Sequence, residues 1–381
     1  MSLSVLLALA VMQDPAPQTK AQTEVKHQAE LDRDTKLGEK YSKEVEKEVK
    51  FSKNEAMIAR TQRVANELAA IAYSLPVEVT WGDKRLNPFK YTFKVIEGED
   101  INAFSLPGGF IYVYEGLLKF ADTDDELAGV LAHEIAHASL RHVDKMEKDS
   151  SKLQLATLPL ILIGIFAGGN ETAAGAGALG QLVKTAIGSG WSINAERAAD
   201  YAGMQYMLKS SYNPVGMLTF MERLGRQQRQ YDRISLGIFQ THPPSKERAE
   251  GAISRLEKFG VPVERSKVST AYRAVAVQKE SGPVELAFSD RLILKYGGQD
   301  ALKRAKEDAA RLNEFLDSVP DMYNVTMSSN GLISGYGKPI MKITEEDAAA
   351  AKIPFKDLSE KTFKAVKLSV YLIAYRIWDA R

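Results

Sequence analysis

Between residues 54 and 73, Met57, Ile58, Val64, Leu68, Ile71 and Ala72 recur at helical spacing, which predicts a helix packed on a core. The stretch before it, 25–50, carries lysine and glutamate at mixed spacings and reads as a highly charged helix. Beyond it the period shortens. Segments 77–81 and 90–96 read as strands, and Gly108-Gly109 reads as a tight turn feeding the β-rich run Phe110-Ile111-Tyr112-Val113-Tyr114, so a small sheet is expected. Thr123-Asp124-Asp125-Glu126 has the form of a capping box, and Leu127, Val130, Leu131, Ile135 and Ala138 follow on one helical face. Toward the C-terminus, 284–316 reads as helical and 323–343 as a β-hairpin around Ser328-Ser329-Asn330-Gly331. Residues 357–379 read as an amphipathic helix with Leu358, Phe363, Val366, Val370, Ile373 and Ile377 on its apolar side. The pattern predicts an α+β chain, mostly helical with a small sheet.

Two segments carry hydrophobicity without a clear partner. Residues 153–170 are uncharged and 172–183 are rich in glycine and alanine. The first is at the short edge of the roughly 20 apolar residues that span a bilayer and contains Gln154, Thr157 and Pro159. The expectation is an apolar helical hairpin over about 150–190, packed in or over a cleft; membrane-surface association or a membrane-spanning hairpin is the alternative. At the N-terminus, the apolar run 3–12 followed by Gln13-Asp14-Pro15-Ala16-Pro17 resembles a secretory signal, although no basic residue precedes it. Residues 1–24 are read as a signal-like segment and flexible leader, which implies an exported, periplasmic or membrane-associated protein.

The chemistry lies in the capped helix. His133-Glu134-Ile135-Ala136-His137 puts two imidazoles four residues apart on one helical face, where both reach one metal ion, with a carboxylate beside the open coordination position. The alternative is a helix with two unconnected histidines. A tetrahedral catalytic zinc needs a third protein ligand. His142, nine residues after His133, falls on the opposite side of a continued helix and is expected to be a polar residue there or at the helix end. Glu196 is the better candidate. In Asn194-Ala195-Glu196-Arg197-Ala198-Ala199-Asp200, Asp200 follows it by one turn, so a ligand carboxylate and a carboxylate orienting a histidine would share one face. Such a pair alone also reads as a solvated face.

Four stretches together give a resemblance. Asn102-Ala103-Phe104-Ser105-Leu106-Pro107-Gly108-Gly109, His133-Glu134-x-x-His137 continuing to Arg141-His142, Glu196-Arg197-Ala198-Ala199-Asp200-x-x-Gly203, and Thr241-His242-Pro243-Pro244-Ser245 occur in order. The chain resembles the HtpX-like and CAAX-prenyl-endopeptidase-like zinc metallopeptidases, gluzincins, and most of all their soluble periplasmic members, over roughly residues 25–255. The resemblance implies a zincin-like fold and one Zn²⁺ per chain held by His133, His137 and Glu196, with Glu134 as catalytic base and Asp200 behind a ligand. It also implies that His242 stabilises the oxyanion or occupies the metal's open position, and that Arg248 orients the site. Substrate contacts are expected at Asn102, Ala103, Gly109, Phe110 and Ile111, with the strand after Gly109 as a sheet edge that a peptide could extend; an ordinary core strand is the alternative. After about 258 the resemblance stops, and no 34-residue helical repeat follows.

Composition adds limits. With 45% hydrophobic and 26% charged residues, the chain can bury a sizeable core and more than one domain. Fifty basic residues against 49 acidic ones leave no electrostatic footprint for nucleic acid. The absence of cysteine excludes disulfides, thiolate ligands and thiol catalysis. The expected organisation is a metallopeptidase domain over 25–257 and a small α+β accessory domain over 258–381. The expected activity is hydrolysis of peptide bonds in unfolded or misassembled polypeptides. A chaperone or assembly factor with a self-inhibited zinc site, and a membrane-integral protease, are the alternatives.

Overall fold

The computed structural model describes residues 19–149, 191–230, 246–278 and 282–374. The signal-like run, the 150–190 hairpin and His242 lie outside these residues. Among the described residues no helix is long and apolar enough to cross a membrane.

Helix α1 (Lys20–Glu48) starts earlier than its charge pattern suggests. Thr19 accepts from Gln22 N and the Gln22 side chain answers to Thr19 N, a complete capping box, so the expected flexible leader ends by residue 19. Nor is the helix solvated all round. Leu31, Asp34, Gly38, Tyr41, Ser42 and Val45 are buried, a stripe of helical period. Helix α2 (Glu55–Ser74) follows with Thr61, Val64, Ala65, Leu68 and Ala72 buried.

Between these helices lies a three-stranded sheet of β1 (Thr92–Ile96), β2 (Ala103–Leu106) and β3 (Phe110–Tyr114) in the order β1-β3-β2. The first pair is parallel and the second antiparallel. Alternation along β3 explains the layers. Ile111 and Val113 face the main core with Val64, Leu68, Leu127 and Leu131, whereas Tyr112 and Tyr114 face α1 and pack with Tyr41 and Val45. The expected strand at 77–81 does not form; Val77 and Val79 are buried there in irregular chain.

Helix α3 (Glu115–Phe120) leads to helix α4 (Asp124–Ser139), which carries the two histidines. Thr123 accepts from Glu126 N as the cap requires, but the Glu126 side chain turns to Asp122 N and Arg223 instead of closing the box. Helix α5 is His142–Asp149, α6 is Trp191–Met207, α7 is Val215–Gln230 and α8 is Lys246–Lys258. Helices α6 and α7 pack along α4 through small residues. A Cβ at Gly129 would lie 2.6 Å from Met217 Cα, and one at Gly203 would lie 3.0 Å from the carbonyl carbon of Ala132.

A second core, from Tyr272 to Ile373, involves none of these elements. The stretch expected to be helical over 284–316 is two strands and then a helix: β5 (Val284–Phe288), β6 (Arg291–Tyr296) and α10 (Ala301–Asp317), with β4 (Ala274–Gln278) before them and the short helix α9 (Arg265–Val268) as the link. Ser289 and Asp290 between β5 and β6 both have positive φ, the signature of a tight two-residue hairpin turn. The expected hairpin around 328–331 forms between β7 (Val325–Met327) and β8 (Leu332–Gly335), and β9 (Lys338–Lys342) extends it. Helices α11 (Glu345–Ala351) and α12 (Phe355–Ala374) complete the unit. Asp122 joins the two cores by accepting from Ser269 and Thr270, and Arg265 pairs with Glu222.

Candidate active site

On α4, the i,i+4 spacing brings His133 Nε2 and His137 Nε2 within 3.0 Å of each other. Helix α6 lies against this face because Gly203 and Ala132 let the backbones approach, and it delivers Glu196 to both rings. Glu196 Oε2 is 3.3 Å from His133 Nε2, and Glu196 Oε1 is 3.2 Å from His137 Nε2. These three residues form the one group of side chains among the described residues that could hold a metal ion.

The donor set fits such an ion on two counts. In a tetrahedral site with bonds of about 2.0–2.1 Å, neighbouring ligand atoms stand about 3.3 Å apart, close to the separations seen here. The proton inventory agrees. His133 Nδ1 lies 2.9 Å from Asp200 Oδ1 and His137 Nδ1 lies 2.9 Å from His142 Nδ1. With the ring protons assigned to those Nδ1 atoms from their partners, both Nε2 lone pairs face a carboxylate, an arrangement that a cation completes.

Asp200 is fully buried and paired bidentately with Arg248 from α8, Nε to Oδ2 at 2.9 Å and Nη2 to Oδ1 at 2.8 Å. The same guanidinium reaches Glu196 Oε2 through Nη1 at 3.0 Å. Burial would raise the Asp200 carboxyl, but Arg248 outweighs it and holds it below the usual carboxylate range. Burial works against charge on His133; Glu196 and Asp200 outweigh it and push its pKa up to about 10. Glu134 is also buried and lies close enough to favour the charge on Arg248. Formally, three buried carboxylates face one guanidinium, and a divalent cation would neutralise the excess.

The substrate contacts need correction in part. Strand β3, with Phe110 and Ile111, is the middle strand, laddered to β1 on one side and β2 on the other, so its main-chain groups are already taken and it cannot accept a further strand. The edge is β2. Asn102 O accepts from Tyr114 N, and antiparallel alternation then directs the main-chain groups of Ala103 and Ser105 away from β3. Asn102 and Ala103 are buried, and Ser105 is half-buried. Gly109 belongs to the turn before β3, where Gly108 and Gly109 both have positive φ.

Spacing on an uninterrupted helix put His142 on the wrong side. Helix α4 stops at Ser139, Arg141 takes φ 52, and His142 comes back against His137 with 2% exposure. Its one advance signal was Arg141, a charged side chain directly after the helix.

The description of peptidase family M48 matches residues 59–256, just over half of the chain. The beta-barrel assembly-enhancing protease of Escherichia coli (strain K12) is 30% identical over 175 residues, 44% of this chain and 35% of that one. Metalloprotease LoiP of the same strain is 29% identical over 176 residues, 46% of this chain and 67% of its own length. The mitochondrial metalloendopeptidase OMA1 of Schizosaccharomyces pombe is 32% identical over 167 residues, 43% of this chain and 46% of that one. The chain thus spans about a third of the length of the assembly-enhancing proteases it matches. The matched region holds α4, α6 and α8 with all the site residues just described, and by that match the chain belongs to peptidase family M48.

Proposed function

We propose that the protein is a zinc-dependent endopeptidase in which His133, His137 and Glu196 hold one Zn²⁺ and Glu134 is the base. The observation that carries this reading is the convergence of three ligand atoms from two helices at tetrahedral separations, with a buried carboxylate adjoining the first. When bound there, zinc supplies Lewis acidity, polarising a carbonyl and lowering the pKa of a coordinated water to about 7. Glu134 takes a proton from the attacking water as its oxygen bonds to the scissile carbon, then passes that proton to the amine nitrogen as the C–N bond breaks. A carboxylic acid, which then ionises to solvent, and an amine leave. Arg248 and Asp200 hold the ligands in register throughout. His242, outside the described residues, is assigned to the developing oxyanion by resemblance alone.

Strand β2 is assigned to the substrate. Pairing with an edge strand reads main-chain groups rather than side chains, which favours extended stretches of unfolded or misassembled polypeptide. The name of one relative, the beta-barrel assembly-enhancing protease, supports that class. The segment after residue 270, with its separate core, is taken as an accessory domain.

Glu134→Gln tests the base. The variant should bind one zinc per chain, as wild type does, and lose at least 10²-fold in the rate of casein cleavage, the scale of a general base. Full cleavage by Glu134→Gln would overturn the assignment, and zinc-loaded wild type inert on unfolded protein would favour a chaperone.

A further inference from the structure

Two ligands of the same type are backed by different chemistry. His133 leans on a carboxylate, Asp200, whereas His137 leans on a second imidazole, that of His142. The rings of His137 and His142 meet edge to face at 4.8 Å and 84°, and Trp81 covers His142 from another side at 4.9 Å. An imidazole that ligates through Nε2 keeps its proton on Nδ1, so His137 donates to His142 Nδ1, and that bond fixes the ring's rotation.

His142 reaches this place only because the chain bends at Arg141. A left-handed residue other than glycine costs about 1–2 kcal/mol, so something must hold it. Arg141 has its side chain 1% exposed and surrounded by carboxylates: Asp34 Oδ2 at 2.6 Å, Asp83 Oδ2 at 2.9 Å, Glu30 Oε2 at 3.1 Å and Asp144 Oδ2 at 3.5 Å. Glu30 and the buried Asp34 come from α1, which lies before the family-matched region. The same helix is seated on the turn that ends β2. A Cβ at Gly38 would lie 1.9 Å from Pro107 O, and one at Gly108 would lie 2.6 Å from Thr35 Cα.

We infer that His142 is a positioning residue for His137, and that Asp34 on helix α1 sets its place through Arg141. Helix α1 is thereby part of the metal centre's support, although it contributes no ligand. The inference rests on the proposed role of His137 as a zinc ligand.

The test is the zinc dissociation constant of the purified full chain, measured by competition with a chromogenic chelator, beside the melting temperature without metal. His142→Leu should bind zinc 10–100-fold more weakly, the usual effect of losing a partner behind a ligand. His142→Gln, whose amide oxygen can accept from His137, should recover most of that loss. Asp34→Asn should weaken zinc in the same direction, while Glu46→Gln, which disturbs the other end of α1 at Lys94, should leave it unchanged. Wild-type zinc affinity in a normally melting His142→Leu overturns the role of His142. Equal effects of Asp34→Asn and Glu46→Gln overturn the route through Arg141. Equal zinc binding by wild type and His137→Ala would instead sink the ligand assignment underneath.

Discussion

Arg248 grips both oxygens of Asp200, at 2.9 and 2.8 Å, where neither side chain has appreciable contact with water. Planar bidentate pairing of this kind fixes the carboxylate in two directions, and Oδ1, shared between Arg248 and His133 Nδ1, then sets the ring of His133. The guanidinium therefore orients a metal ligand from two bonds away. It also reaches Glu196 Oε2 through Nη1 at 3.0 Å.

Removing it should expose how far the ion and the guanidinium share one task. Without Arg248, the buried carboxylates of Glu196 and Asp200 lose their guanidinium and keep the histidines as partners, so Arg248→Ala should destabilise the metal-free protein by up to about 3–5 kcal/mol. A divalent cation restores much of the charge balance, so saturating zinc should shrink that deficit. Urea unfolding of wild type and variant, each with and without zinc, measures both. A deficit of equal size in the two conditions would show that the guanidinium and the metal site are uncoupled. Arg248→Lys should fall short of wild type as well, since an ammonium cannot make the two parallel bonds.

The packing of α4 on α6 yields a second expectation. Gly203 lies one turn after Asp200 and two turns after Glu196, against the backbone of Ala132, the residue before His133. The Cβ of a valine there would lie 3.0 Å from both the Ala132 carbonyl carbon and Met217 Cε, inside ordinary contact distance, so the helices must separate by a few tenths of an ångström. Overpacking should cost about 1–3 kcal/mol. More tellingly, Glu196 and Asp200 ride on the displaced helix, so zinc affinity should drop along with stability. Gly251→Ala is the control, because its Cβ would meet only the Arg255 guanidinium at 3.6 Å. Chelator competition and thermal melts on the two variants decide it; unaltered zinc binding by Gly203→Val would detach the helix contact from the site.

What could be read in advance follows the range of the interactions. The pair His133 and His137, with Glu134, is local to one helix, so a spacing of four residues is enough. Glu196 and Asp200 are local to another helix, and their i,i+4 register was visible too. Their meeting is a matter of tertiary packing, carried by Gly203 and Ala132, and the ordered set of motifs stood in for it. His142 lies outside the ligand group and past the end of α4, as one of the two expected placements has it, but its contact with His137 is not legible, because helix termination at Arg141 depends on Asp34 and Asp83, 107 and 58 residues away in sequence. The edge role assigned to Phe110 and Ile111 failed for a similar reason: which strand lies outermost is decided by β1, a parallel partner that no local pattern reveals. The strands over 284–296 do have a local signal. Val284, Leu286 and Phe288 alternate with Glu285 and Ala287, and the two residues Ser289-Asp290 fit a hairpin turn.

The anchoring of α1 gives a pH dependence whose sign can be worked out. Burial pushes the Asp83 carboxyl up, but Arg85 and Arg141 outweigh it and hold it below the usual range; Glu30 is lowered, against its own burial, by the same two arginines. Glu46, at the far end of α1, is lowered against burial by Lys94, Ser42 and Tyr112. A carboxylate whose folded pKa is depressed contributes stability above its unfolded pKa of about 4, and that contribution is lost as pH falls through the folded value. Glu30 and Glu46 join α1 to the rest of the protein, and Asp83 holds the two arginines that Glu30 binds, so acidification below about pH 4 should loosen α1 ahead of α4, which is seated in the main apolar core. Hydrogen exchange corrected for its intrinsic pH dependence, followed from pH 6 to pH 3, should show amides of α1 losing protection first. Loss of protection in α1 and α4 at one and the same pH would mean that the helix is held by Tyr41 and Val45 against the sheet rather than by its charges.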